Sequence, residues 1–106
     1  MFSFRRKNGQ NPPAPLTDRS EIKKALETVS KGDAFSYERR YSDTKYECTV
    51  QTVSDFEVTV KLDTGERRLL DMKYGFVSRP GETSNYGIVK LWPSESLQRV
   101  LSQMLD

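Results

Sequence analysis

Apolar side chains recur at helical spacing near the start of the chain: Ile22, Ala25, Leu26 and Val29 fall at i, i+3, i+4 and i+7, one narrow helix face. Thr17 or Asp18 can cap the N-terminus, and Asp18 with Glu21 three residues on has the form of a capping box. Lys31 suits the negative end of the helix dipole and Gly32 a left-handed stop, so the pattern predicts a helix over 18–31. From Asp33 the period becomes two. Phe35, Tyr37 and Tyr41 alternate with polar residues, and Tyr46, Cys48 and Val50 share a face. Phe56, Val58, Val60 and Leu62 alternate with Glu57, Thr59, Lys61 and Asp63, a strand with one wet face and Phe56 on its inner side. Asp63-Thr64-Gly65-Glu66 is a tight hairpin turn from which the chain returns through Arg67 to Leu70. Strands are expected at about 34–41, 45–53, 56–63, 66–71 and 86–92. Residues 72–85 then form a loop of about 14 residues, long for a small domain. Pro93 opens a second helix over 94–105, striped by Leu97, Val100, Leu101, Met104 and Leu105.

Short consecutive strands joined by tight turns make an antiparallel meander. An open five-stranded sheet would leave two bare edges and a half-wet core, so the meander is expected to curl into a barrel. The fold class that follows is α+β, mainly β: a five-stranded antiparallel barrel flanked by an N-terminal and a C-terminal helix. Residues 1–15, with Pro12, Pro13 and Pro15, read as a flexible Pro-rich arm, and 16–106 as a single domain.

Composition removes whole classes of function. The chain has 106 residues and 24 Leu, Ile, Val and Phe side chains, enough for one small core and not for a deep two-layer substrate cavity. There is no histidine, hence no side chain that titrates unperturbed near neutrality and none of the commonest transition-metal ligand. Cys48 is the single cysteine, which excludes an intrachain disulfide and a cysteine zinc site. The aspartates 33, 55, 63 and 71 are scattered over strand ends and turns, and no glycine-rich phosphate loop sits between a strand and a helix. No catalytic residue, metal or cofactor is expected, and the protein is read as acting by binding. The basic start Met1–Lys7 is followed by Asn8-Gly9-Gln10-Asn11 rather than an apolar run, and no stretch is long and apolar enough to span a bilayer. The expected compartment is the cytoplasm, or the nucleus in a eukaryote.

The formal net charge of +2 is unevenly spread. Residues 1–13 carry Arg5, Arg6 and Lys7, whereas 33–71 are net acidic. Arg39-Arg40 and Arg67-Arg68 lie on strands where neighbours point to opposite faces. If the first and fourth strands lay side by side, one arginine of each pair could build a basic patch; otherwise they would pair with Glu38, Asp43, Glu47 and Glu66 as weak solvated ion links. Within 72–85, Tyr74, Phe76 and Arg79 have the composition of an interface hot spot. Tyr41 and Tyr46 are candidates for an aromatic surface, while Phe35 and Phe56 are assigned to the core. The C-terminal stripe suits either a homodimer seam or closure of the domain's own core, so monomer and weak homodimer both stay open.

Gly32-Asp33, the run Tyr46-Glu47-Cys48-Thr49-Val50 and the run Val58 to Gly65 together resemble the small SH3-like barrels of the Tudor and chromatin-reader kind. The likeness covers residues 32–70, about a third of the chain. It implies an SH3-like barrel, and in members that read methylated side chains an aromatic cage, for which Tyr41, Tyr46 and Phe56 are the residues placed to serve. Two functions are carried forward. The first is nucleic-acid association through Arg5, Arg6 and Lys7 with Arg39, Arg40, Arg67 and Arg68 on the barrel. The second is protein docking or regulation through the 72–85 loop or a barrel edge.

Overall fold

The computed structural model describes residues 14–94 together with Arg99 and Gln103. Helix α1 spans Arg19–Thr28 and buries Ile22, Ala25 and Leu26, the stripe that the helical spacing selects. Asp18 is its N-cap: the carboxylate accepts from the Glu21 amide at 3.2 Å and from the Ser20 hydroxyl. The Ser20 hydroxyl, then the Glu21 amide, hold the Asp18 carboxyl below its ordinary range. A folded-state pKa below the unfolded one stabilises the fold above the unfolded value, and the benefit is lost as pH falls through the folded value. Asp18→Ala is therefore expected to melt at a lower temperature than wild type at neutral pH and to converge with it in acid, as circular-dichroism melts across the acid range would show. A gap that stays constant in acid would assign the effect to something other than the carboxylate.

The helix stops at Thr28, three residues short of the expected end, because Val29 turns extended. Its side chain is still buried, and Gly32, at φ +93°, shapes the following turn instead of capping the helix. That turn is tied by Ser30 N–H to the Asp33 carboxylate at 2.8 Å and by Gly32 N–H to the Val50 carbonyl at 2.9 Å.

The strands form a closed antiparallel barrel of six, in which spatial order follows chain order. They are β1 (Ala34–Arg39), β2 (Tyr46–Val53), β3 (Glu57–Leu62), β4 (Arg67–Asp71), β5 (Phe76–Ser78) and β6 (Asn85–Pro93). β6 returns to β1 in the register Tyr37 opposite Leu91, with a bulge between Glu38 and Arg39. Inward residues of every strand join the helix stripe in one core, with Val58, Val60, Leu70 and Leu91 fully enclosed. Leu16 is laced to β6 by two backbone bonds with Leu91, at 2.8 and 3.0 Å. No helix of the described residues is long and apolar enough to cross a membrane.

Four expectations change. The five expected strands become six, because the 72–85 segment is a turn, a strand and a second turn. Three residues are too few to show a period, but Leu70 pairs with Val77 and Val77 with Tyr86, which completes the barrel. Gly75 (φ +71°) and Gly81 (φ +81°) supply the left-handed backbone on either side. Phe56 lies outside the core at 79% exposure. The Ser54 side chain accepts from the Phe56 and Glu57 amides at 3.2 and 3.0 Å, which makes Phe56 a turn residue that the strand alternation does not govern. β1 and β4 are not neighbours, since each is flanked by other strands. Lastly, closure pairs every strand on both sides, so the barrel edge expected as a docking rail is taken up within the sheet. Residues 1–13, with Arg5, Arg6 and Lys7, lie outside the described residues. So does the helix expected over 94–105, apart from Ser94, which is non-helical, and Arg99 and Gln103, which are helical and exposed.

Candidate functional site

Barrel closure brings together side chains from α1, the β1–β2 turn, the β4–β5 turn and β6. Beyond β1, Tyr41 has the left-handed backbone φ of +67°, the one non-glycine residue described with positive φ. Arg40 N–H is held by the Gly87 carbonyl at 2.8 Å and Ser42 N–H by the Arg39 carbonyl at 3.3 Å, so the turn is fixed on both sides. The result is a tyrosine ring 82% exposed, meeting Tyr86 edge-on at 6.3 Å between centroids. A tyrosine in this region is strained by about 1 kcal/mol or more, which singles out the position.

Beside this ring runs a groove of about 480 Å³. Its cations are Arg19, Lys23, Arg40 and Lys73; its rings are Tyr41, Tyr74, Phe76 and Tyr86; no carboxylate lines it. Cations and rings are paired: Arg19 lies 5.6 Å from the Phe76 centroid, Arg40 5.6 Å from Tyr41 and Lys73 5.3 Å from Tyr74. Tyr74 and Phe76 stack at 6.0 Å. Arg19 also donates to the Tyr74 carbonyl, which fixes its guanidinium over the turn. Gly87 permits that approach, since a Cβ there would stand 3.2 Å from Arg19 Nη2.

Across Tyr86 lies a second cavity, of about 250 Å³, at the mouth of the barrel. Tyr37, Tyr46 and Val77 line it together with Arg39, Arg68 and Arg79, whose three guanidiniums meet two carboxylates, Glu82 in the lining and Glu66 bonded to Arg68. Arg39 stacks on Tyr86 at 4.3 Å from the ring centroid and donates to the Arg40 carbonyl at 2.9 Å. Arg68 has an 11% exposed side chain, bonded to the Arg67 carbonyl at 2.7 Å and to Glu66 at 3.2 Å. Arg79 stands 4.0 Å from Glu82. Tyr37 and Tyr46 stack at 5.3 Å. Burial drives the Tyr37 phenol well above its usual range, whereas the Ser42 hydroxyl, 3.3 Å away, lowers that of Tyr46.

The arginine pairs divide as strand alternation requires, but to a different end. Arg40 faces the groove while Arg39 turns to the mouth, where Arg68 from the non-adjacent β4 joins it across the barrel. Arg67 stays on the outer surface of β4, opposite Lys61. Among the described residues no carboxylate lies within ion-pair distance of Arg39, Arg40 or Arg67. Tyr74 and Phe76 lie in the groove and Arg79 at the mouth. No ring contact joins Tyr41, Tyr46 and Phe56 to one another among the described residues: Tyr41 meets Tyr86, Tyr46 meets Tyr37, and Phe56 lines a separate hollow with Glu27 and Val53.

Sequence reasoning missed Arg19, Lys23, Lys73 and Tyr86. Arg19 and Lys23 are spaced i, i+4 and flank the buried stripe, a signal for one basic helix edge. Nothing local marks Lys73 or Tyr86. Cys48 is buried, and burial pushes its thiol up to about 12, so it is inert. Among the described residues no group of three or more carboxylate or thiol ligands gathers as a metal site. No family model, curated protein or solved structure matches the chain.

Proposed function

We propose that this small barrel acts by binding single-stranded nucleic acid along the groove between α1 and the β1–β2 turn. One observation carries the reading: four cations and four aromatic rings interleave there without a carboxylate. Cations neutralise phosphates and release their counterions, and rings held at the surface accept unpaired bases by stacking. Bases inside a duplex are already stacked and offer no such face. Arg5, Arg6 and Lys7 would add phosphate contacts from the arm. The SH3-like resemblance of residues 32–70 belongs to the same proposal, without the methyl-ammonium cage, whose three rings do not meet. Protein docking by Tyr74, Phe76 and Arg79 uses some of the same rings but gives no reason for four cations free of carboxylates.

Fluorescence anisotropy with a labelled, mixed-sequence single strand of about a dozen nucleotides tests this. Affinity should fall with salt at a logarithmic slope of about -3 for four phosphates on a single strand. Tyr41→Ala should weaken binding about tenfold through one lost stacking ring. Absence of binding at low salt would sink the proposal and leave the docking function.

A further inference from the structure

The mouth cavity differs from the groove in being smaller and floored by buried side chains, about 250 against 480 Å³. Tyr37, only 1% exposed, and the buried Val77 form its floor, with Arg39, Arg68 and Arg79 around them. The Tyr37 hydroxyl has no hydrogen-bond partner among the described residues, although a buried hydroxyl without one is costly. The cationic charges that act on it are those of Arg68 and Arg39. Burial keeps this phenol protonated and hence a donor. Arg39 and Arg68 are held by backbone carbonyls and by Tyr86 and Glu66, contacts that use only part of their five N–H donors.

We infer that the mouth cavity binds the terminal phosphate monoester of a nucleotide, with Tyr37, Arg39, Arg68 and Arg79 as its donors. Where that nucleotide ends a strand, the inference rests on the nucleic-acid reading of the adjoining groove; a free mononucleotide offers the same group. A phosphodiester inside a strand carries one negative charge and continues on both sides. A terminal monoester approaches two negative charges near neutrality and exposes three oxygens, which suits a small recess where three guanidiniums outnumber the carboxylates of Glu66 and Glu82 and a buried phenol donor adds to them. Tyr86, shared by the two cavities, carries Arg39 on its ring and so joins the pocket to the groove.

Affinity is measured for one oligonucleotide carrying a 5′-phosphate, a 3′-phosphate or hydroxyls at both ends, alongside a titration with adenosine monophosphate followed by NMR. The expected result is that one phosphorylated form binds about tenfold more tightly than the hydroxyl form. Tyr37→Phe and Arg68→Gln should erase that gain while affinity for the hydroxyl form stays. Thermal melts confirm that each variant is folded, and Arg68→Gln decides if Tyr37→Phe is not. Binding of adenosine monophosphate, abolished by Arg68→Gln, with no oligonucleotide bound would uphold the pocket and retire the groove reading. Oligonucleotides that bind alike whatever their ends, with no monophosphate response, would overturn the pocket and leave the groove reading intact. Silence from all four ligands would overturn both.

Discussion

Reversing two groove charges together, Arg40→Glu with Lys73→Glu, should weaken single-strand binding roughly a hundredfold and flatten the salt slope by about 1.5. Both side chains are exposed and neither is within ion-pair distance of a carboxylate among the described residues, so the fold should tolerate the change. The matched control is Lys31→Glu with Lys61→Glu, two exposed lysines that do not line the groove, which alters net charge by the same amount. Anisotropy titrations at several salt concentrations separate the outcomes. A control that loses as much affinity as the groove variant would show that overall charge, not this site, governs association.

The second large effect concerns stability. Leu70, completely buried on β4, sits opposite Val58 on one side and Val77 on the other. Leu70→Ala should cost about 3 kcal/mol, from lost apolar burial and an unfilled cavity. For a domain of this size that lowers the melting temperature by on the order of 15 °C. Phe56→Ala, the larger truncation, should stay within about 0.5 kcal/mol because the ring already faces water. Denaturant melts of the two variants check the ranking. A Phe56→Ala loss comparable with that of Leu70→Ala would place Phe56 back in the core.

That contrast marks how far periodicity can be followed. Val58, Val60 and Leu62 alternate inward as the pattern requires, and Phe56 has the same phase on paper. What excludes it is the Ser54 turn, a local hydrogen-bond preference that overrides alternation at the residue just before the strand takes hold. The helix face was readable for the opposite reason: Ile22, Ala25 and Leu26 lie on one element with a strong cap. β5 is hidden by its length, and the β1–β6 register by distance along the chain, since Tyr37 meets Leu91 only once the barrel has closed. The candidate site inherits that difficulty. Tyr74, Phe76 and the two arginine pairs stand out by composition, but Arg19 and Gly87 come together only through the three-dimensional path of the chain.

Tyr41 places two properties of the molecule in opposition. Its backbone conformation is one that glycine or asparagine would adopt with little strain, so either would make the fold more stable. The same exchange would remove the ring that stands ready at the groove before any ligand arrives. Strain at this residue draws on the stability of the free protein, and the ordering it secures need not be supplied at the moment of association. Under the proposed function, selection for heat resistance alone would erode the position, whereas selection for tight binding would preserve it.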